Sequence, residues 1–202
     1  ALRWLIPIAD ALAYAHDLGV IHRDVKPSNI LFDEQEQPIL TDFGIAKLLE
    51  TDEATLTGTG MGVGTPEYMA PEQWRGQATP ATDQYALGVV LYELLTGHKP
   101  YTADTPAAVA IMQAMEPLQP PGNLVAGIPG SLEKLLYKAL ALRPEDRFED
   151  MGAFKGALER ELKSTPDEAK PVQSKQPSQP IQEKPVVQSI SEAETIDALE
   201  PT

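Results

Sequence analysis

Between Asp83 and Leu95 the chain reads DQYALGVVLYELL, a stretch in which only Asp83, Gln84 and Glu93 are strongly polar. A helix so apolar on every side has no face to offer to water, so other elements must pack around it. Its longest apolar run, Tyr85 to Leu95, is broken by Glu93 and falls well short of the ~20 residues that a membrane span needs. It is therefore the predicted axis of a packed, mainly helical core. Leu2, Leu5, Ile6, Ala9, Leu12 and Ala13 follow helical spacing, with Gly19 as the stop. Pro7 predicts either a kink in that helix or a late start that puts it in the first turn. Further helices are expected over Pro106–Met115 and Ser131–Leu142. Another should follow Asp150, a good N-cap, with Met151, Phe154, Leu158 and Leu162 as its stripe. Short apolar runs at Ile30–Phe32 and Ile39–Leu40 flank a turn-like Asp33–Gln37 and predict a small hairpin. The fold class is mainly α (α+β).

The composition changes near Ser164. From there to Thr202 the chain has six prolines, many Gln, Ser and Glu, and no aromatic residue. Such a segment buries too little apolar surface to offset its ordering entropy and reads as a disordered linker or tail. The expected division is a folded domain over 1–163 and a tail over 164–202, whose end is read as solvated rather than as a docking peptide. A net charge of −14 opposes nucleic acid or anionic membrane as a direct partner. The absence of cysteine fits a reducing compartment, so a cytoplasmic location is expected. No basic segment precedes an apolar run as in a signal peptide. The start at Ala1, inside a helical pattern and without Met, is read as a cut.

Three motifs carry chemistry. His22-Arg23-Asp24-Val25-Lys26-Pro27-Ser28-Asn29 is an H-R-D followed by four residues and Asn. Asp42-Phe43-Gly44 follows thirteen residues after Asn29, and Gly64-Thr65-Pro66-Glu67-Tyr68-Met69-Ala70-Pro71-Glu72 closes a Gly/Thr-rich loop. Each tripeptide alone is common by chance, but the ordered set is not. From Ala1 to about Lys163 the sequence resembles the eukaryotic-like protein kinases, especially the bacterial serine/threonine branch. The resemblance implies the large, C-terminal lobe of such an enzyme, with small β-hairpins.

What the resemblance implies about roles follows the demands of phosphoryl transfer, where catalysis is mainly positioning and electrostatic stabilisation. Asp24 matches the base that orients the substrate hydroxyl. Lys26 matches the point charge near the γ-phosphate, and Asn29 and Asp42 match the two oxygen ligands of Mg²⁺ against ATP. Leu31 matches the position beneath the adenine ring, and reads equally well as a strand-core leucine. Lys26 and Thr65 both point to Ser/Thr rather than Tyr acceptors, Thr65 being the residue that ties the catalytic loop to the peptide-binding loop. Thr57 and Thr59 fall where bacterial relatives autophosphorylate, with Arg23 as the partner of a loop phosphate, though threonines can simply solvate a loop. Self-association for that reaction is a possible partner interaction. His22 and Phe43 match residues that stack with the small lobe. Asp83 matches the buried acid that fixes the catalytic-loop backbone. Glu72 with Arg147 matches a buried ion pair, either half of which would cost ~3–5 kcal/mol to strand. Trp4, Trp74, His16 and His98 take default packing roles.

The 202 residues contain no G-x-G-x-x-G: Gly58, Gly60, Gly62 and Gly64 alternate instead, within the candidate activation loop. The strand lysine, its helix glutamate and the adenine-binding hinge are missing from them as well. The expectation is the catalytic half of a kinase whose isolated chain binds Mg-ATP poorly and turns over negligibly. A pseudokinase or scaffolding module is the rival, opposed by the intact Asp24, Asn29 and Asp42. A small-molecule kinase is opposed by the GTPEYMAPE segment. Membrane attachment is left to a possible longer parent.

Overall fold

The computed structural model describes residues 1–43 and 65–164, all within one compact unit, Ala1–Pro166. Six α-helices and one hairpin make up its regular structure: α1 (Leu2–Asp17), β1 (Ile30–Phe32), β2 (Pro38–Leu40), α2 (Pro80–Thr96), α3 (Pro106–Met115), α4 (Pro121–Leu124), α5 (Gly130–Ala139) and α6 (Met151–Ser164). Residues 44–64 and 165–202, and with them the candidate activation loop and the tail, lie outside the described residues.

The α2 helix is the axis. Tyr85, Leu87, Val89, Val90, Leu91 and Tyr92 are all buried on it, around the whole circumference. Fully burying one such side chain is worth roughly 1.5–3 kcal/mol, so this helix anchors the core. Pro80 opens it at N1 and Gly97, in the left-handed region at φ +74°, ends it. Against it pack α1, α5 and α6. Gly88 lets α5 come close, since a Cβ there would lie 3.0 Å from Cβ of Ala139.

Pro7 sits inside α1, beyond its first turn, where it costs the helix one hydrogen bond. Gly19 closes the helix in a Schellman arrangement: its N–H reaches the His16 carbonyl at 2.9 Å and the Val20 N–H reaches that of Ala15 at 2.9 Å. The hairpin pairs antiparallel, Ile30 with Leu40, Leu31 with Ile39 and Phe32 with Pro38. Its turn is held by Asp33, whose Oδ1 accepts from the N–H groups of Gln35 and Gln37 at 2.9 and 2.7 Å.

Two helical expectations need correction. The helix expected over 131–142 runs from Gly130 to Ala139: Leu140 leaves the helical region at φ −96°, ψ 15°, and beyond it the carbonyls of Ala141 and Leu142 accept from the Arg147 guanidinium at 2.9 and 3.4 Å. On α6, capped by Asp150 Oδ1 accepting from Ala153 N–H at 2.6 Å, Leu162 is exposed and Ala157 takes a place in the buried stripe. The short α4 was not foreseen.

Candidate active site

The loop after α1 is gripped by its backbone. Asp83, wholly buried in the first turn of α2, accepts from the His22 N–H at 2.9 Å and the Arg23 N–H at 2.8 Å. The same carboxylate accepts from Nε2 of His16 at 2.8 Å. Arg23 thereby sits at φ +66°, a left-handed conformation that costs a non-glycine residue roughly 1–2 kcal/mol. Both sides of its backbone are held, because its carbonyl accepts from Nε2 of Gln73 at 3.1 Å.

His22 is fully buried, and its surroundings choose its tautomer. Asp24 N–H donates to Nδ1 at 3.3 Å, so Nε2 carries the proton and donates to the Thr41 carbonyl at 2.9 Å. The ring centre lies 4.6 Å from that of Phe43, and the two rings meet tilted at 51°. The His22 bond joins the loop to the end of β2. Thr41 strengthens the join by donating to the Asn29 carbonyl, from N–H at 2.8 Å and Oγ1 at 3.2 Å. Asp42 follows at φ +57°.

Two site residues converge on the Asp24 carboxylate. Lys26 Nζ lies 2.9 Å from Asp24 Oδ2, and Asn29 Nδ2 donates to the Asp24 carbonyl at 2.8 Å and to Oδ2 at 3.2 Å. The Asp24 and Lys26 side chains keep 24% and 21% of their surface exposed, so the pair is reachable from solvent. Asn29 is buried, and with its amide nitrogen committed to Asp24 its Oδ1 is left as an acceptor, approached among the described residues by Ser28 Oγ alone, at 3.5 Å. Asp42 Oδ2 has a comparably loose contact, Thr41 Oγ1 at 3.5 Å. Leu31 and its cross-strand partner Ile39 are both about half exposed, giving the hairpin an apolar outer face.

On the far side of the loop, Arg147 meets Glu72 through two parallel hydrogen bonds of 2.7 and 2.8 Å, with both side chains buried. Thr82 Oγ1 donates to the same carboxylate at 3.0 Å. Burial alone would raise the Glu72 carboxyl, but the Arg147 guanidinium outweighs it and holds the group below its ordinary value. Thr65 is partly buried, and only its carbonyl is engaged among the described residues, accepting from Tyr68 N–H at 3.1 Å. The described link between this segment and the catalytic loop is Gln73, which also accepts from Ala70 N–H at 2.8 Å. Thr57 and Thr59 lie outside the described residues.

Residues 1–158 match the protein kinase domain family. The chain belongs to the protein kinase family. Among curated relatives it is 42% identical over 163 residues to a probable serine/threonine-protein kinase of Clostridium perfringens, covering 80% of this chain and 23% of that protein. It is 38% identical over 170 residues to the serine/threonine-protein kinase PknB of Mycobacterium tuberculosis, covering 84% of this chain and 27% of PknB. A probable PknB of Bifidobacterium longum matches at 40% over 152 residues, 75% of this chain and 22% of that protein. The chain thus spans about a quarter of the length of these kinases. Its described residues form the mostly helical part expected of the large lobe of a kinase.

Sequence reasoning missed two residues of this kinase site. His16 was assigned to packing, yet it donates to the carboxylate that anchors the loop. Its place on the buried face of α1, just before the Gly19 stop, was the available signal. Gln73 carried no signal, because its reach to Arg23 spans fifty residues of sequence.

Proposed function

We propose that the intact protein carrying this kinase segment transfers the γ-phosphate of ATP to Ser or Thr hydroxyls of proteins. The observation that carries the reading is the Asp24 carboxylate, about a quarter exposed to solvent and held in place by Asn29 and Lys26 at 3.2 and 2.9 Å. Asp24 accepts the proton of the acceptor hydroxyl and points its oxygen in line with the phosphorus. Lys26, within reach of the same space, sets a positive charge where the transferred group gathers negative charge.

The residues present fit magnesium. Asn29 Oδ1 and the Asp42 carboxylate are hard oxygen donors whose contacts among the described residues are no closer than 3.5 Å, and two protein ligands suit a metal that takes its remaining oxygens from phosphates and water. Asn29 and Asp42 would hold the ion, whose positive charge would offset the negative charge of the phosphates. The apolar face of Leu31 offers a floor for adenine. Thr57 and Thr59 serve as autophosphorylation sites reached from a second copy, and the protein works in the cytoplasm, whether or not a longer chain is anchored. Among the described residues no helix is long and apolar enough to cross a membrane. Thr65 ties the catalytic loop to the peptide-binding loop.

The test is transfer of labelled γ-phosphate by the intact protein to a Ser/Thr-rich acceptor, with the labelled residue identified after hydrolysis. Label on Ser or Thr that falls by about 10²–10⁴ in Asp24→Asn supports the reading. No transfer by the wild type would sink it in favour of a pseudokinase scaffold. The isolated 202-residue chain should transfer none above background.

A further inference from the structure

The peptide plane that leads into Asp24 is held at both of its polar ends. At one end the Asp24 N–H donates to Nδ1 of His22 at 3.3 Å. At the other the Arg23 carbonyl accepts from Nε2 of Gln73 at 3.1 Å, across fifty residues of chain. The plane before it is held by Asp83, which takes the Arg23 N–H at 2.8 Å. Between the two planes Arg23 stands at φ +66°, a conformation that persists only where the surroundings over-determine it.

These ties differ in what they can fix. Asp83 acts on the far side of the Arg23 Cα, and rotation about ψ lies between its grip and Asp24. The His22 bond is local, and long enough to be weak. The Gln73 bond alone among the three joins this plane to a distant segment. Gln73 is itself braced, since its Oε1 accepts from the Ala70 N–H at 2.8 Å and so aims its amide nitrogen at Arg23. A partly buried side chain with both amide atoms engaged thus bridges the segment before Glu72 and the residue before Asp24.

We propose that Gln73 is a positioning residue for phosphotransfer: it fixes the peptide plane ahead of Asp24, and with it the direction in which that carboxylate meets the acceptor hydroxyl. The inference rests on the phosphotransfer reading. Lys26 and Asn29 hold the carboxylate from within the catalytic loop, whereas Gln73 sets the backbone from which it springs. A carboxylate turned aside slows the chemical step and leaves the binding of ATP and peptide alone.

The test is steady-state phosphotransfer by the intact protein from ATP to a Ser/Thr peptide, in wild type, Gln73→Glu, Asp24→Asn and the double variant. Gln73→Glu keeps an oxygen for the Ala70 N–H but sets an acceptor, in place of a donor, against the Arg23 carbonyl. Its kcat should fall about five- to tenfold, with KM for ATP and for peptide within about twofold of wild type. Gln73→Met, of similar length and without either bond, should lower kcat at least as far, and serves where the new charge disturbs folding. In the Asp24→Asn background, adding Gln73→Glu should lower kcat by less than about twofold, because the residue acts through the carboxylate already removed. A merely structural tie would give the same factor in both backgrounds, and that result would overturn the proposal. So would an unchanged kcat in Gln73→Glu and Gln73→Met, or a loss carried wholly by KM. A wild type that transfers no phosphate sinks the phosphotransfer reading itself, and the proposal with it.

Discussion

Two carboxylate–cation pairs lie on either side of the first turn of α2, and they are built for opposite ends. Arg147 and Glu72 meet at 2.7 Å with 0% and 5% of their side chains exposed, while Lys26 and Asp24 meet at 2.9 Å with about a fifth to a quarter exposed. The first pair is satisfied on nearly every atom. Beyond Glu72, Arg147 donates to the carbonyls of Ala81, Ala141 and Leu142. Such a pair joins distant segments, and removing one half leaves a charge stranded in low dielectric. The second keeps oxygen and nitrogen near water, where an ion pair is weak enough to part, as the proposed phosphotransfer requires. Burial, more than distance, separates a clamp from a tool.

The comparison can be broken at either pair. The largest effect is expected for Asp24→Asn in the intact protein: phosphotransfer should fall by about 10²–10⁴ while the melting temperature holds. An equal loss of stability would show that Asp24 is a clamp as well. Next, Arg147→Ala should destabilise the fold by about 3–5 kcal/mol in urea unfolding, whereas Lys26→Ala should change it by less than about 1 kcal/mol. Replacing both Glu72 and Arg147 with apolar residues of similar volume should cost less than Arg147→Ala alone, because no charge is then stranded.

Acid sharpens the same contrast. Glu72 has its folded value depressed, so its contribution is complete above the ordinary carboxyl value near 4.5 and is lost as pH falls through the lower folded value. Unfolding followed from pH 6 down to about pH 3 should therefore show a loss of stability that is shallower in Glu72→Gln. A modest effect is expected of Gln73→Leu, which cuts the tie to the Arg23 carbonyl. About 1 kcal/mol of stability should go, together with part of the turnover.

What could be read from the sequence follows the range over which the physics acts. The α2 axis was legible because a continuous apolar run needs no knowledge of its neighbours. Pro106–Met115 was legible because Thr105 and Pro106 mark its start locally, Thr105 Oγ1 accepting from Ala108 N–H at 3.2 Å. The end of α5 was not, because the apolar spacing runs on through Leu140 and Leu142 with no glycine at the stop. Four-residue α4 is too short to show a period. Within the site, the motif residues could be named in advance, whereas His16 reaches Asp83 across 67 residues of chain and Gln73 reaches Arg23 across 50. Contacts of that kind exist only once the helices have packed.

Asp83 holds the catalytic loop by the main-chain N–H groups of His22 and Arg23, which every residue except proline possesses. The grip is therefore indifferent to which side chains stand at those two positions. A loop fastened in this way can have its side chains exchanged over generations, and a new reactivity tried, with its frame left standing. The tolerance is one-sided: a single exchange at Asp83 would let go of both amides together, and no substitution within the loop could restore them.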